Sequence, residues 1–262
     1  MGVSSMGYLS EARVHLIIAI WLILVGLLPI SVFAEDSTDA ALQFYAVQVL
    51  HTSEQSPAGA GIYLGKGLVI TAAHVTGSNQ IGVRFDGVSV PARVLKRGAL
   101  QAIDLALYAV RENNLPTAYR SLSLPLCETP PQADAQVIVV TPPVFTSTPI
   151  TRSRMLSTSM LTLIDSKKWP TIISDVQTDG RSGSGVFDSQ SKCLLGILSA
   201  KLSVNNNNTP KAIGTYFVPA SVVRPFVSSA DGTAKGTAVG TSTNGRPIGT
   251  PGSGRGSPEN PY

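Results

Sequence analysis

From residue 44 onward the chain is a succession of short apolar runs: FYAVQVL, AGIYLG, GLVITAAHV, IGVRF, ARVLKRG and DLALYAV, then QVIVVTP, RSRMLSTSML, WPTIISDV, GVFD, CLLGILSA and TYFVPA. Val, Ile, Leu, Thr and Tyr dominate them, the side chains that fit a pleated, half-buried surface, and Gly, Pro, Asn and Asp between the runs supply turns. Twelve such runs at this spacing predict an all-β sandwich or barrel. Helical periodicity is absent until PASVVRPFV, where Pro219 suits the first turn of a short terminal helix and Pro225 is expected to interrupt it. The Pro-rich stretch at residues 124–131 parts the strands six from six.

The two ends differ from this pattern. Arg13 precedes an apolar run at residues 16–28, followed by Pro29 and Val32-Phe33-Ala34, which reads as a secretory signal peptide cleaved before Glu35. The stretch at 16–34 also approaches the ~20 residues that span a bilayer, so an uncleaved anchor is the alternative and the only route to a membrane partner. Either way the rest of the chain is expected outside the cytoplasm, secreted or periplasmic. Residues 35–42 form a short leader, 43–227 the folded domain, and 228–262 a Gly/Ser/Thr/Pro-rich tail too polar to bury a core, expected to be disordered. Export permits disulfides, and with two cysteines, Cys127 and Cys193, one bridge or two buried thiols are the options. Two cysteines exclude a zinc site built on CxxC pairs, and no metal or cofactor is expected. The net charge of +4 is spread along the chain rather than gathered in a stripe, which gives no basis for a nucleic-acid partner.

Candidate chemistry lies in GRSGSGVFD, residues 180–188, where Ser182 stands among small residues in a turn that leads into an apolar strand. A serine hydroxyl is a weak nucleophile at neutral pH and needs a base, which in turn needs an orienting carboxylate. His74 lies at the end of the run VITAAHV, and Asp104 lies in AIDLALYAV, inside a stretch that otherwise reads as a buried strand, where a carboxylate is costly unless paired. Singly, each has an ordinary structural reading: a lone histidine is more often structural, which stands for His51, a strand-edge acid is usually solvated, and a serine between glycines is usually a turn residue. The α/β-hydrolase elbow GxSxG does not fit, because position 184 is Ser and no histidine follows Ser182.

TAAH, then DLAL, then GRSGS, in the order His, Asp, Ser, resembles the trypsin/chymotrypsin-like serine peptidases over roughly residues 43–227, and among them bacterial periplasmic housekeeping proteases, without their peptide-binding module. The resemblance implies two six-stranded antiparallel β-barrels, at about 43–122 and 132–218, with a short C-terminal helix. It also implies a serine endopeptidase acting on peptide or protein substrates through His74, Asp104 and Ser182, with the backbone N–H groups of Gly180 and Ser182 as oxyanion hole. A silent domain that binds peptides in the same cleft is the alternative. Arg181 replaces the family's Asp before the serine, and no R-IVGG-like activation site precedes the first strand, so activity without N-terminal activation is expected. The family's specificity position falls on Val176, with Asp175 one residue back, and the pocket is expected to involve Val176, Gln177, Thr178, Ser199, Ala200 and Lys201 and to take a small or apolar side chain.

Overall fold

The computed structural model describes residues 34–51, 57–76, 81–99, 102–157, 171–176, 178–206 and 209–234. The expected signal segment up to residue 33, Gln177 and residues 235–262 of the expected tail lie outside them. Among the described residues twelve strands correspond one for one to the twelve apolar runs. In the first half β1 (Ala46–His51), β2 (Pro57–Gly65), β3 (Leu68–Thr71), β4 (Ile81–Phe85), β5 (Val88–Arg97) and β6 (Ala106–Val110) form a closed barrel in the order β1-β2-β3-β6-β5-β4. Its interior is filled by aromatic side chains packed edge to face, Tyr63 on Phe85 at 5.5 Å and Phe85 on Tyr119 at 5.0 Å. Such pairs add about 1 kcal/mol each beyond the area they bury.

The second half holds β7 (Gln136–Val140), β8 (Ile150–Arg154), β9 (Ile172–Ile173), β10 (Gly185–Asp188), β11 (Leu194–Asn206) and β12 (Thr209–Pro219), a six-stranded antiparallel sheet ordered β8-β7-β10-β11-β12-β9. Its two edges meet: Met155 bridges Ile173, and Leu156 N–H donates to Ile172 C=O at 2.8 Å. Among the described residues the second barrel is thus closed by single bonds rather than by a full ladder. Between the barrels lies a common core in which Ile62, Ile70 and Leu107 of the first pack with Ile138, Phe187 and Ile197 of the second. Apolar burial of this kind stabilises by roughly 25 cal/mol per Å², so this core helps hold the halves together.

Among the described residues three α-helices accompany the strands. The leader is not featureless: α1 (Ala34–Ala41) is held because Asp39, 3% exposed, receives Arg152 Nη2 at 2.7 Å and Lys192 Nζ at 2.5 Å from the second barrel. A single turn, α2 (Thr117–Arg120), buries Tyr119. The last helix, α3 (Ala220–Ala234), begins after Pro219 and runs through Pro225 instead of stopping there. Val223, Phe226 and Ala230 are buried on one face, while Pro225 and Ser221, whose carbonyl has lost its partner N–H, are exposed to water. That buried stripe reaches Ala230, and the helix runs on to Ala234.

Cys127 and Cys193 are bonded, with Cα atoms 5.1 Å apart, which excludes the two-thiol alternative. Backbone bonds flank the bridge, Cys127 N–H to Leu194 C=O at 3.0 Å and Leu194 N–H to Pro125 C=O at 2.9 Å. The connection between the barrels is thereby tied to the start of β11.

Candidate active site

His74 stands in a 3-10 turn, Ala73–Val75, that caps β3, and Arg97 Nη2 of β5 donates to Ala73 C=O at 3.2 Å to hold it. Asp104 lies not within a strand but just before β6, in the loop that returns from β5. Its two carboxylate oxygens both face His74: Oδ1 accepts the His74 backbone N–H at 3.0 Å, and Oδ2 lies 2.7 Å from Nδ1. Ser199 Oγ donates to the same Oδ2 at 2.5 Å. Burial by itself would push the Asp104 carboxyl up, but these donors outweigh it and hold the group below its ordinary range. An ionised Asp104 can only accept, so Nδ1 carries the imidazole proton and Nε2 is left as an acceptor. His74 is one-third exposed, at 33%, so that acceptor is within reach of solvent and ligand.

Ser182 comes from the other barrel, in the turn before β10. Its hydroxyl donates to Ser199 C=O at 3.4 Å, and its own carbonyl accepts Ala60 N–H from β2 at 2.9 Å. Ser199 occupies both relations because β11 bulges there: Leu198 pairs with Phe217 and Ala200 with Tyr216, leaving Ser199 the extra residue. A bulge re-aims one side chain and frees its backbone group. The turn itself needs glycine. Gly183 has φ +89, and a Cβ on it would sit 2.0 Å from Ala60 O and 2.3 Å from Thr71 Oγ1. Gly180 has φ +84 and packs against the Phe145 ring, which a Cβ would meet at 2.5 Å.

Arg181, next to the serine, points inward. It is 5% exposed, its Nη2 makes ion contact with Asp175 Oδ2 at 3.0 Å without hydrogen-bond alignment, and its Nε donates to Thr141 Oγ1 at 3.3 Å. Asp175, the neighbour of the expected specificity position, is therefore engaged by the protein's own guanidinium.

His74, Ser182 and Ser199 open on one cleft of about 420 Å³, with Thr178, Gly180 and Lys201 in its second-barrel wall. Of the expected pocket residues, Thr178, Ser199 and Lys201 are brought there; Val176 and Ala200 do not line it, and Gln177 is outside the described residues. Lys201 Nζ reaches exposed Asp179 at 3.2 Å on the rim. His51, read from the sequence as structural, ends β1 and lines the first-barrel wall with Ala58 and Val75. Neither its place there nor the Ser199 tie to Asp104 had a signal in the sequence, because both depend on a strand end or a bulge. A second hollow of about 400 Å³, between Phe44, Gln48 and Pro142, holds none of these groups. An acid-held imidazole and a hydroxyl in one cleft can together remove a proton from, or deliver one to, a bound ligand.

Residues 59–197 match the model of the trypsin-like peptidase domain, more than half of the chain and all three of His74, Asp104 and Ser182. No curated protein matches the chain in sequence. Among solved structures, the inactive form of a serine-to-alanine mutant of Rv3671c from M. tuberculosis H37Rv is similar at TM-score 0.54 and 19% identity, covering 81% of this chain and 98% of that one. The active form of Rv3671c protease gives TM-score 0.54 and 19% identity over 76% of this chain and 86% of that chain. Kallikrein-related peptidase 10 in complex with Zn2+ gives TM-score 0.52 and 16% identity over 72% and 95%. At these identities the likeness is one of fold, and it gives the two-barrel, chymotrypsin-like architecture.

Proposed function

This chain belongs to the trypsin-like peptidase family, and we propose that it is a serine endopeptidase whose triad is His74, Asp104 and Ser182. The observation that carries the reading is Asp104 held on Nδ1 of His74 while Ser199 touches both that carboxylate and the Ser182 hydroxyl. His74 and Ser182, from distant parts of the chain, line one cleft, and buried Asp104 backs the imidazole, an arrangement that supports acyl transfer.

Ser182 Oγ attacks the peptide carbonyl carbon as His74 Nε2 takes the hydroxyl proton; the carbonyl π electrons move onto oxygen, and the N–H groups of Gly180 and Ser182 receive that oxyanion. Asp104 stabilises the imidazolium. Collapse of the tetrahedral adduct expels the amine, which leaves with the proton from His74, and the acyl-enzyme is then hydrolysed by a water that His74 deprotonates in the same way. The residue before the scissile bond is small or apolar in this reading: Asp175 is engaged by Arg181, and Lys201 on the cleft rim by Asp179. Activity needs no cleavage at the N-terminus, and the chain acts outside the cytoplasm, on the strength of its apolar run at residues 16–28.

The test is reaction of the purified protein with a fluorophosphonate, which forms a phosphorus–oxygen bond to an activated serine and releases fluoride. Mass mapping is expected to place the label on Ser182, with none in Ser182→Ala and far less in His74→Ala; peptide turnover is expected to fall by about a million-fold in either variant. A folded protein that takes no label is a peptide-binding domain rather than a protease.

A further inference from the structure

We propose that the buried Arg181–Asp175 pair is a latch that holds the Ser182 turn in its reactive shape, making Arg181 and Asp175 positioning residues. The inference rests on Ser182 being the nucleophile. Arg181 immediately precedes it, and its side chain enters the second barrel and not the cleft: it is 5% exposed, with Asp175 Oδ2 at 3.0 Å and Thr141 Oγ1 at 3.3 Å. Thr141, fully buried just after β7, also bonds Ser184 Oγ at 2.9 Å. The residue before Ser182 and the residue two after it are therefore fastened to one fixed point.

Asp175 is itself immobilised. Its N–H donates to Ser153 Oγ at 3.0 Å, and its C=O accepts Thr215 Oγ1 at 2.7 Å, so β8 and β12 both set where the carboxylate lies. An arginine beside a surface turn has a far less costly alternative, which is to extend into water. A buried ion pair is poor evidence for stability, since apolar residues of like volume serve as well, but it specifies one arrangement, because neither charge tolerates burial alone. Here the arrangement specified is that of residues 181–184: with Arg181 turned inward, Ser184 N–H closes on Arg181 C=O at 3.1 Å and the turn places Gly183 against Ala60 and Thr71. A serine held this way is oriented before any ligand arrives.

The experiment measures fluorophosphonate labelling of Ser182 as a function of probe concentration, which separates the maximal rate of inactivation from probe binding. The variants are Asp175→Asn, Asp175→Glu and the apolar pair Arg181→Met with Asp175→Leu; thermal unfolding of each is followed alongside. The apolar pair leaves no unpaired buried charge, so it folds even where Asp175→Asn does not. A latch predicts a maximal rate at least about tenfold below wild type in the apolar pair, with probe binding unchanged, as expected when a reacting atom is misplaced. It also predicts that Asp175→Glu retains most of the rate and that Asp175→Asn, if folded, does not. A folded apolar pair that reacts as fast as wild type overturns the latch. A wild-type protein that takes no label overturns instead the reading of Ser182 on which the latch rests.

Discussion

Ser199 donates its hydroxyl to Asp104 Oδ2 at 2.5 Å, across 95 positions of sequence and from one barrel to the other. The carboxylate that orients His74 is thus completed by the strand whose carbonyl receives Ser182. Removing the hydroxyl takes away one of the donors that keep the Asp104 carboxyl low. Ser199→Ala is expected to lower peptide turnover by about tenfold, on the scale of one hydrogen bond to a charged group, with the fold intact by circular dichroism.

The same carboxyl gives stability a defined acid limb. Its folded pKa lies below the ordinary value of about 3.9, so the unfolded chain binds the proton more readily. The contribution is fully present above that value and is lost as pH falls through the folded pKa. Unfolding temperature measured against pH is expected to drop below about pH 4, and in Ser199→Ala the part of the drop due to Asp104 is smaller and ends at a higher pH. An identical acid limb in the two proteins would contradict the assignment.

Gly183→Ala is expected to cost at least about 3 kcal/mol, because a Cβ 2.0 Å from Ala60 O adds overpacking to an unfavourable positive φ. Urea denaturation measures it. The closest atoms are backbone and a β3 side chain in a closed barrel, so relief by a side-chain rotation is not open. Labelling of Ser182 is expected to vanish in any fraction that folds.

Opening the Cys127–Cys193 bridge frees a loop of sequence separation 66. The chain-entropy estimate for such a loop is about 4 kcal/mol. The Cys127→Ser and Cys193→Ser double variant is expected to show that loss in urea titration, while its folded form still labels at Ser182, since neither cysteine lines the cleft.

Asp39→Ala removes a carboxylate that Arg152 and Lys192 share in α1. Both cations have access to solvent, so the global cost is small, under about 1 kcal/mol. The local effect is the informative one. Amide exchange over Ala34–Ala41 is expected to become fast while exchange in β1 is unchanged; slow exchange in α1 would mean that its packing, not Asp39, holds it.

The strands were legible because each is a short β-favouring run bounded by turn residues, and a run such as IGVRF carries its own ends. The three groups of the proposed site were marked in the sequence by TAAH, DLAL and GRSGS. Their connections were not. The Ser199–Asp104 bond depends on a bulge, which changes pairing without changing the apolar pattern of CLLGILSA. Nothing in GRSGS says that Arg181 turns inward to Asp175, because that direction is set by a buried partner from another loop. Pro225 pointed to a broken helix, yet Val223, Phe226 and Ala230 already spelled the stripe that keeps α3 whole. α1 was missed because the burial of Asp39 rests on Arg152 and Lys192, more than a hundred residues downstream.

The bond from Ala60 N–H to Ser182 C=O bears on when the site we propose comes together. With the first barrel alone, Asp104 lacks Ser199 and the Ser182 turn lacks its hold on β2. Ser182 gains its contact with Ala60 only when the second barrel docks on the first. On the proposed reading the triad is therefore assembled by docking, and a molecule with one barrel unfolded holds no complete triad.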